Sequence, residues 1–267
     1  MKISEWLTGS QIALKRAGIS TARLDCLVLL EDETGKSRAW LLAYPEHSLQ
    51  SQELENLNSK ITQRVMHVPL AYIRGKAEFY GREFTVTAHT LVPRPETETI
   101  IDLLKQLDPP AETRLLDVGT GSGCIAITAA LELRNVQVSA CDIDKSCLAI
   151  ATTNATKLGA HVTFLESNLL EHTQQCDILL ANLPYVPDNF QINTAATHEP
   201  PHALFGGEDG LDLYRKLFKQ LEASDPYPSH ILVESLPMQH EVLAGIAKAA
   251  GFALRKTDDF IQLFEPV

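Results

Sequence analysis

The sequence predicts an α/β protein in which a largely parallel sheet follows a small helical domain. Three features predict it. From residue 114 onward, short apolar runs alternate with amphipathic stretches, as in a parallel sheet built from crossover units. A glycine-rich turn, Gly119-Thr120-Gly121-Ser122-Gly123, sits where the first of those runs passes into a helical stretch. Up to about residue 72 the pattern is helical, with little strand signal.

Bulk properties narrow the class. The 267 residues suffice for one large and one small domain. Composition is 45% hydrophobic and 21% charged, and no apolar run approaches the roughly 18 residues that a membrane span needs. The opening residues, Met1-Lys2-Ile3-Ser4-Glu5-Trp6-Leu7, lack a signal peptide's apolar core, so a cytoplasmic protein without membrane contact is expected. Cys26, Cys124, Cys141, Cys147 and Cys176 show no Cys-x-x-Cys spacing and read as reduced core thiols. The histidines show no paired ligand spacing on a helix, so no metal is expected. Net charge is -11 and uneven: residues 1–75 carry nine Lys/Arg against eight Asp/Glu, and the remainder 14 against 26. An acidic field opposes adherence to phosphate backbones, which argues against direct nucleic-acid binding.

In chain order, residues 1–75 predict four or five short helices, with Leu24, Leu27, Val28 and Leu30 crowding one face and Leu54, Leu57, Ile61 and Val65 at near-helical spacing. Residues 76–92 change character. Phe79-Tyr80-Gly81 and Phe84-Thr85-Val86-Thr87 alternate like a β-hairpin, expected to link the two domains. Pro93 and Pro95 halt that extended segment, and Glu96 or Thr97 opens a helix through Ile100, Ile101, Leu103 and Leu104. Strands are then expected at 114–118, 136–141, 162–165, 177–181 and 230–234, with helices at about 123–133, 145–158, 211–221 and 238–250. Residues 252–256 and 260–265 read as an antiparallel closing pair.

Two stretches carry chemistry. In the first, Asp117 precedes glycines at every second position (Gly119, Gly121, Gly123, with Thr120 and Ser122 between), and Asp142 ends the next strand, where a carboxylate can accept both hydroxyls of a ribose. An adenosine-bearing ligand is expected. A nicotinamide dinucleotide would prefer Gly-x-Gly-x-x-Gly above its pyrophosphate. The spacing here resembles the class I S-adenosylmethionine-dependent methyltransferases, and an acidic residue before the turn suits a ligand with an ammonium group. A purely structural glycine turn is the remaining reading. In the second stretch, the apolar run Ile178-Leu179-Leu180-Ala181 ends in Asn182-Leu183-Pro184-Tyr185. A strand ending there delivers the Asn182 side-chain oxygen and the Leu183 carbonyl to the carboxyl edge as acceptors, with Tyr185 able to pack on a planar group.

The tetrapeptide is similar to the Asn-Pro-Pro-Tyr motif of amino methyltransferases. Together with four further stretches it resembles one family, the peptide chain release factor glutamine methyltransferases. The four are Leu24-Asp25 with Leu29-Leu30; Tyr72-Ile73-Arg74-Gly75 with Phe79-Tyr80-Gly81; Pro93-Arg94-Pro95-Glu96-Thr97-Glu98; and Glu199-Pro200 through Gly206-Gly207 to Asp209-Gly210-Leu211. The resemblance implies a Rossmann-like class I methyltransferase domain at 93–267, a β-hairpin linker at 76–92 and an N-terminal helical bundle at 1–75 that docks the release factor. It implies S-adenosyl-L-methionine as methyl donor and the glutamine of the release factor's Gly-Gly-Gln motif as acceptor. It places the donor at Asp117, Gly119, Thr120, Gly121, Ser122, Gly123, Asp142, Asn168, Leu169 and Asn182, and the target amide at Asn182, Leu183, Pro184 and Tyr185. A monomer is expected. Leu183 stands where the family has proline, and Asn168 where it commonly has aspartate. The alternatives are a glutamine methyltransferase of a large-subunit ribosomal protein, and a donor-binding interaction module without catalysis. Glu199, followed by Pro200, reads either as a brace for the substrate loop or cofactor rim or as a solvated charge.

Overall fold

The computed structural model describes residues 1–267. The chain forms two compact units, one of Met1–Gly75 with Ile192–His198, the other of Lys76–Gln191 with Glu199–Val267.

The first unit holds five helices: α1 (Ile3–Arg16), α2 (Ala22–Thr34), α3 (Arg38–Ala43), α4 (Ser51–Val65) and α5 (Leu70–Arg74). Trp6, Leu14, Leu29, Leu30 and Leu57 meet in its core. Helix α1 starts where the Glu5 carboxylate accepts the Lys2 N–H at 2.9 Å, which satisfies one of the donors a helix leaves open. Asp25, 3% exposed, is paired with Arg64 at 2.7 Å, fastening α2 to α4. Removing either partner of so buried a pair costs about 3–5 kcal/mol, because the other charge stays behind.

The second unit opens with a hairpin, β1 (Lys76–Phe79) and β2 (Arg82–Thr85), joined by Tyr80-Gly81 with φ of +50° and +70°, a two-residue turn that matches strand twist. Expected as a linker, the hairpin buries Phe79 and Phe84 in the larger unit's core beside Ile100, Ile101 and Leu104. A 3-10 turn, Pro95–Thr97, leads into α6 (Glu98–Leu107). Then come β3 (Arg114–Val118), α7 (Cys124–Glu132), β4 (Gln137–Asp142), α8 (Lys145–Leu158), β5 (Val162–Glu166) and β6 (Ile178–Ala181). The chain finishes with α9 (Pro201–Leu204), α10 (Asp212–Leu221), β7 (His230–Glu234), α11 (His240–Ala249), β8 (Phe252–Asp258) and β9 (Ile261–Pro266). No helix is long and apolar enough to cross a membrane.

The sheet order is β5-β4-β3-β6-β7-β9-β8, parallel except where β9 pairs antiparallel with β7 and β8. Alternation along the strands fills two cores. Leu115, Ile178, Leu180 and Leu232 face α6 and α7; Leu116, Val118, Leu179, Ala181, Ile231 and Val233 face α10 and α11. Both faces of the parallel strands are therefore dry, which explains their continuous apolar runs. Between neighbours β3 and β6 the strand order reverses, and a crevice opens beyond their carboxyl ends.

Candidate active site

Both predicted stretches leave that crevice edge side by side, since Val118 at the end of β3 pairs with Ala181 at the end of β6. The glycine turn is braced from its own neighbourhood. Gly119 N and Thr120 N both donate to the Cys141 carbonyl, at 2.9 and 3.0 Å, and Gly123 N donates to Thr120 O at 2.8 Å. Asp117 lies fully buried beneath the turn, where one carboxylate oxygen accepts from Thr120 Oγ1 (2.6 Å) and Ala126 N (3.3 Å). Burial pushes its carboxyl up to about 7 despite those two bonds. Asp142 accepts from Gly121 N through one oxygen and Asp144 N through the other, each at 2.9 Å. Its carboxyl is also raised, again chiefly by burial.

The tetrapeptide is braced from far along the chain. Asn182 donates its amide N–H to Thr97 Oγ1 at 3.1 Å, which commits the nitrogen end and leaves Oδ1 free to accept. Leu183 is 3% exposed and its N–H reaches the hydroxyl of Tyr214 at 3.2 Å. Tyr185 donates to Glu234 Oε1 at 2.8 Å, and its own carbonyl accepts from Gln239 Nε2 at 2.7 Å. Burial raises the Glu234 carboxyl, against the pull of Thr97, Tyr185 and Asn182. Beyond the tetrapeptide, Val186 N bonds Leu204 O and Gly206 N bonds Val186 O, strapping it to the segment before α10. A side chain at Gly206 would drive into the Pro184 carbonyl oxygen.

A cavity of about 290 Å³ lies over both. Of the predicted residues, Gly119, Thr120, Gly121, Ser122 and Asp142 line one part, and Asn168, Leu169, Asn182, Leu183 and Pro184 the rest. Three predicted residues stand off its wall. Asp117 is below the turn; Gly123 packs beneath it, where a Cβ would meet Ile127 and Ala151; and Tyr185 is turned to Glu234. These three shape the wall rather than form it. His89, Thr97 and His202 also line the wall, and nothing in their sequence spacing marks them as ligand-facing. Glu199 is resolved as a brace: 4% exposed, it accepts from Arg94 Nη2 (2.5 Å) and Val92 N (3.2 Å), and Arg94 lies on the cavity wall.

Two family models match successive parts of the chain. Residues 5–75 match the PrmC N-terminal domain and residues 99–200 the methyltransferase small domain. The release factor glutamine methyltransferase of Deinococcus radiodurans is 34% identical, over 94% of this chain and 92% of its own. That of Koribacter versatilis is 41% identical over 78% and 77%, and that of Bacillus subtilis 40% over 73% and 72%. The chain belongs to the release factor glutamine methyltransferase family. Among solved structures, a methyltransferase from Pyrococcus furiosus (TM-score 0.51, 16% identity, 80% of this chain and 97% of that one) shares the fold. So does the hMettl16 catalytic domain (TM-score 0.55, 12% identity, 80% and 81%).

Proposed function

We propose that the protein methylates the side-chain amide nitrogen of the glutamine in the Gly-Gly-Gln motif of peptide chain release factors, using S-adenosyl-L-methionine, as a cytoplasmic monomer. The observation that carries this reading is the fixed amide of Asn182, whose nitrogen is tied to Thr97 and whose oxygen remains as an acceptor beside the glycine turn.

A glutamine amide is a poor nucleophile because its nitrogen lone pair is delocalised into the carbonyl. Two acceptors that fix both N–H bonds aim that nitrogen and favour the positive charge that grows on it. The Asn182 oxygen and the Leu183 carbonyl are the pair offered here. Held by Thr97 and strapped through Val186 and Gln239, they need no rearrangement as charge develops.

The residues present fit the methyl donor. Gly121 has open space where a side chain would stand, so a ligand can approach the backbone there. The Asp142 carboxylate, fixed by two backbone N–H groups, retains lone pairs for ribose hydroxyls. Asn168 commits its nitrogen to Glu171 (2.8 Å), leaving its oxygen free, and Leu169 offers an apolar surface. Bound at these residues, the donor supplies an electrophilic methyl group on a sulfonium, with no phosphate for the turn to neutralise. The helical unit, matching the family's N-terminal domain, takes the role of docking the release factor.

Incubation of a purified release factor with the protein and S-adenosylmethionine, followed by mass spectrometric mapping, tests the reading. A single methyl on the Gly-Gly-Gln glutamine is expected. Methylation of a ribosomal-protein glutamine in its place, or donor binding with no transfer to either, overturns it.

A further inference from the structure

Where the resemblance expects a proline this chain has Leu183, whose backbone N–H the rest of the chain must satisfy. Proline has no N–H; leucine restores one, at a residue only 3% exposed, where water cannot serve as acceptor. The acceptor comes from α10. The Tyr214 hydroxyl, on a side chain with no solvent exposure, lies 3.2 Å from Leu183 N and 2.5 Å from the Glu234 carbonyl at the end of β7. The Ala181 carbonyl is farther, at 3.4 Å. A phenol has one proton, and the short contact to Glu234 O takes it, so a lone pair is left facing Leu183 N–H. One hydroxyl thus ties the exit of β6 to the end of its neighbour β7.

We propose that Tyr214 is a positioning residue for methyl transfer, fixing the Asn182–Leu183 peptide plane that joins the two target-amide acceptors; this rests on the function proposed above. The link is geometric. Rotation of that plane changes ψ of Asn182 and φ of Leu183 together, so the Asn182 side chain and the Leu183 carbonyl would lose their common aim. With a proline the ring itself restrains φ. With leucine the restraint passes to the hydrogen bond.

The test is Tyr214→Phe, made both in the native chain and in a Leu183→Pro background, with three readouts: kcat for methyl transfer, dissociation constant for S-adenosylmethionine, and unfolding midpoint. In the native chain, kcat is expected to fall about tenfold while the dissociation constant stays within about twofold. In the Leu183→Pro background, whatever rate that variant itself sets, the same change is expected to cost less than about twofold, because no N–H is left to orphan. The loss of the donor to Glu234 O is common to both backgrounds and cancels in the cycle. Equal kcat losses in the two backgrounds would overturn the proposal and leave Tyr214 a packing residue. Should the native protein transfer no methyl to a release factor, the functional reading fails by itself. The unfolding midpoint still decides the pairing: a larger drop in the native chain supports it, and equal drops refute it.

Discussion

The glycine turn after β3 and the tetrapeptide after β6 leave adjacent strands and face one cavity, yet the first is held mainly from nearby in the chain and the second wholly from afar. Most bonds of the turn come from residues 117–144, and the one that reaches farther is Asn154 in α8, whose Nδ2 donates to Ser122 O at 2.9 Å across 32 positions. The tetrapeptide's partners are Thr97, 85 positions from Asn182; Tyr214, 31 from Leu183; and Glu234 and Gln239, 49 and 54 from Tyr185. A binding loop for a cofactor can be self-contained, because it must only present backbone and one carboxylate. Two acceptors that aim a weak nucleophile require a frame that does not give, and that frame is the assembled sheet.

The sharpest way to break the contrast is Asn182→Ala. It removes one acceptor of the pair while leaving the turn intact, so kcat is expected to fall about 10²–10³-fold with the S-adenosylmethionine dissociation constant nearly unchanged. Retained turnover in a mass-spectrometric or radiolabel assay would take Asn182 out of the chemistry. Asp142→Ala is the mirror experiment on the turn. It deletes the proposed ribose acceptor and the partner of Gly121 N, so equilibrium binding of the donor should weaken about 10- to 100-fold, with kcat at saturation reduced far less. An unchanged dissociation constant would mean the ribose lies elsewhere.

The same contrast explains what the sequence disclosed. Strands β3 to β7, helices α7, α8, α10 and α11, and the antiparallel pair β8–β9 were legible because buried parallel strands are continuous apolar runs, and Gly/Pro punctuation marks their ends; the short α9 was not. The turn residues and Asp142 were legible because most of their partners are near in sequence, Asn154 on Ser122 O being the exception. Asn182 could be identified as an acceptor, but not which way its amide faces, since that depends on Thr97 in a different element. Arg94 and Glu199 were visible as separate motif residues; their pairing across 105 positions was not, and neither was the inward turn of Tyr185 toward Glu234. Asp117 and Gly123 had the right residue types for a ligand, but the fold spends them beneath the turn.

Two glycines of the turn separate contact with the tetrapeptide from backbone strain alone. Gly119 and Gly121 have φ of +75° and +55°, so alanine at either strains the backbone by about 1–2 kcal/mol. They differ in what the methyl meets: the Leu183 Cδ2 at 2.9 Å for Gly119, open space for Gly121. Gly119→Ala should therefore reach the tetrapeptide and lower kcat severalfold, on the order of 1 kcal/mol. Gly121→Ala should act mainly on donor affinity. Steady-state kinetics beside equilibrium binding separates them; identical profiles would show that the strain, and not the contact with Leu183, governs both.

The last difference lies beneath the turn and is read in pH rather than in turnover. The Asp117 carboxyl, pushed up to about 7 by burial, holds its proton in the fold where the unfolded chain would release it near the ordinary value of 3.8. Folding therefore binds a proton between those values. This group's contribution to stability is greatest below about pH 4, declines as pH rises, and is lost by about pH 7, beyond which it adds no further slope. Asp117→Asn keeps an oxygen for Thr120 Oγ1 and Ala126 N but carries no titrating proton. The fall in unfolding midpoint between pH 5 and pH 8, values chosen to bracket about 7, should shrink in the variant. An unaltered slope would show that Asp117 ionises normally and that the turn tolerates a charge beneath it, and the two regions would then differ in the reach of their partners alone.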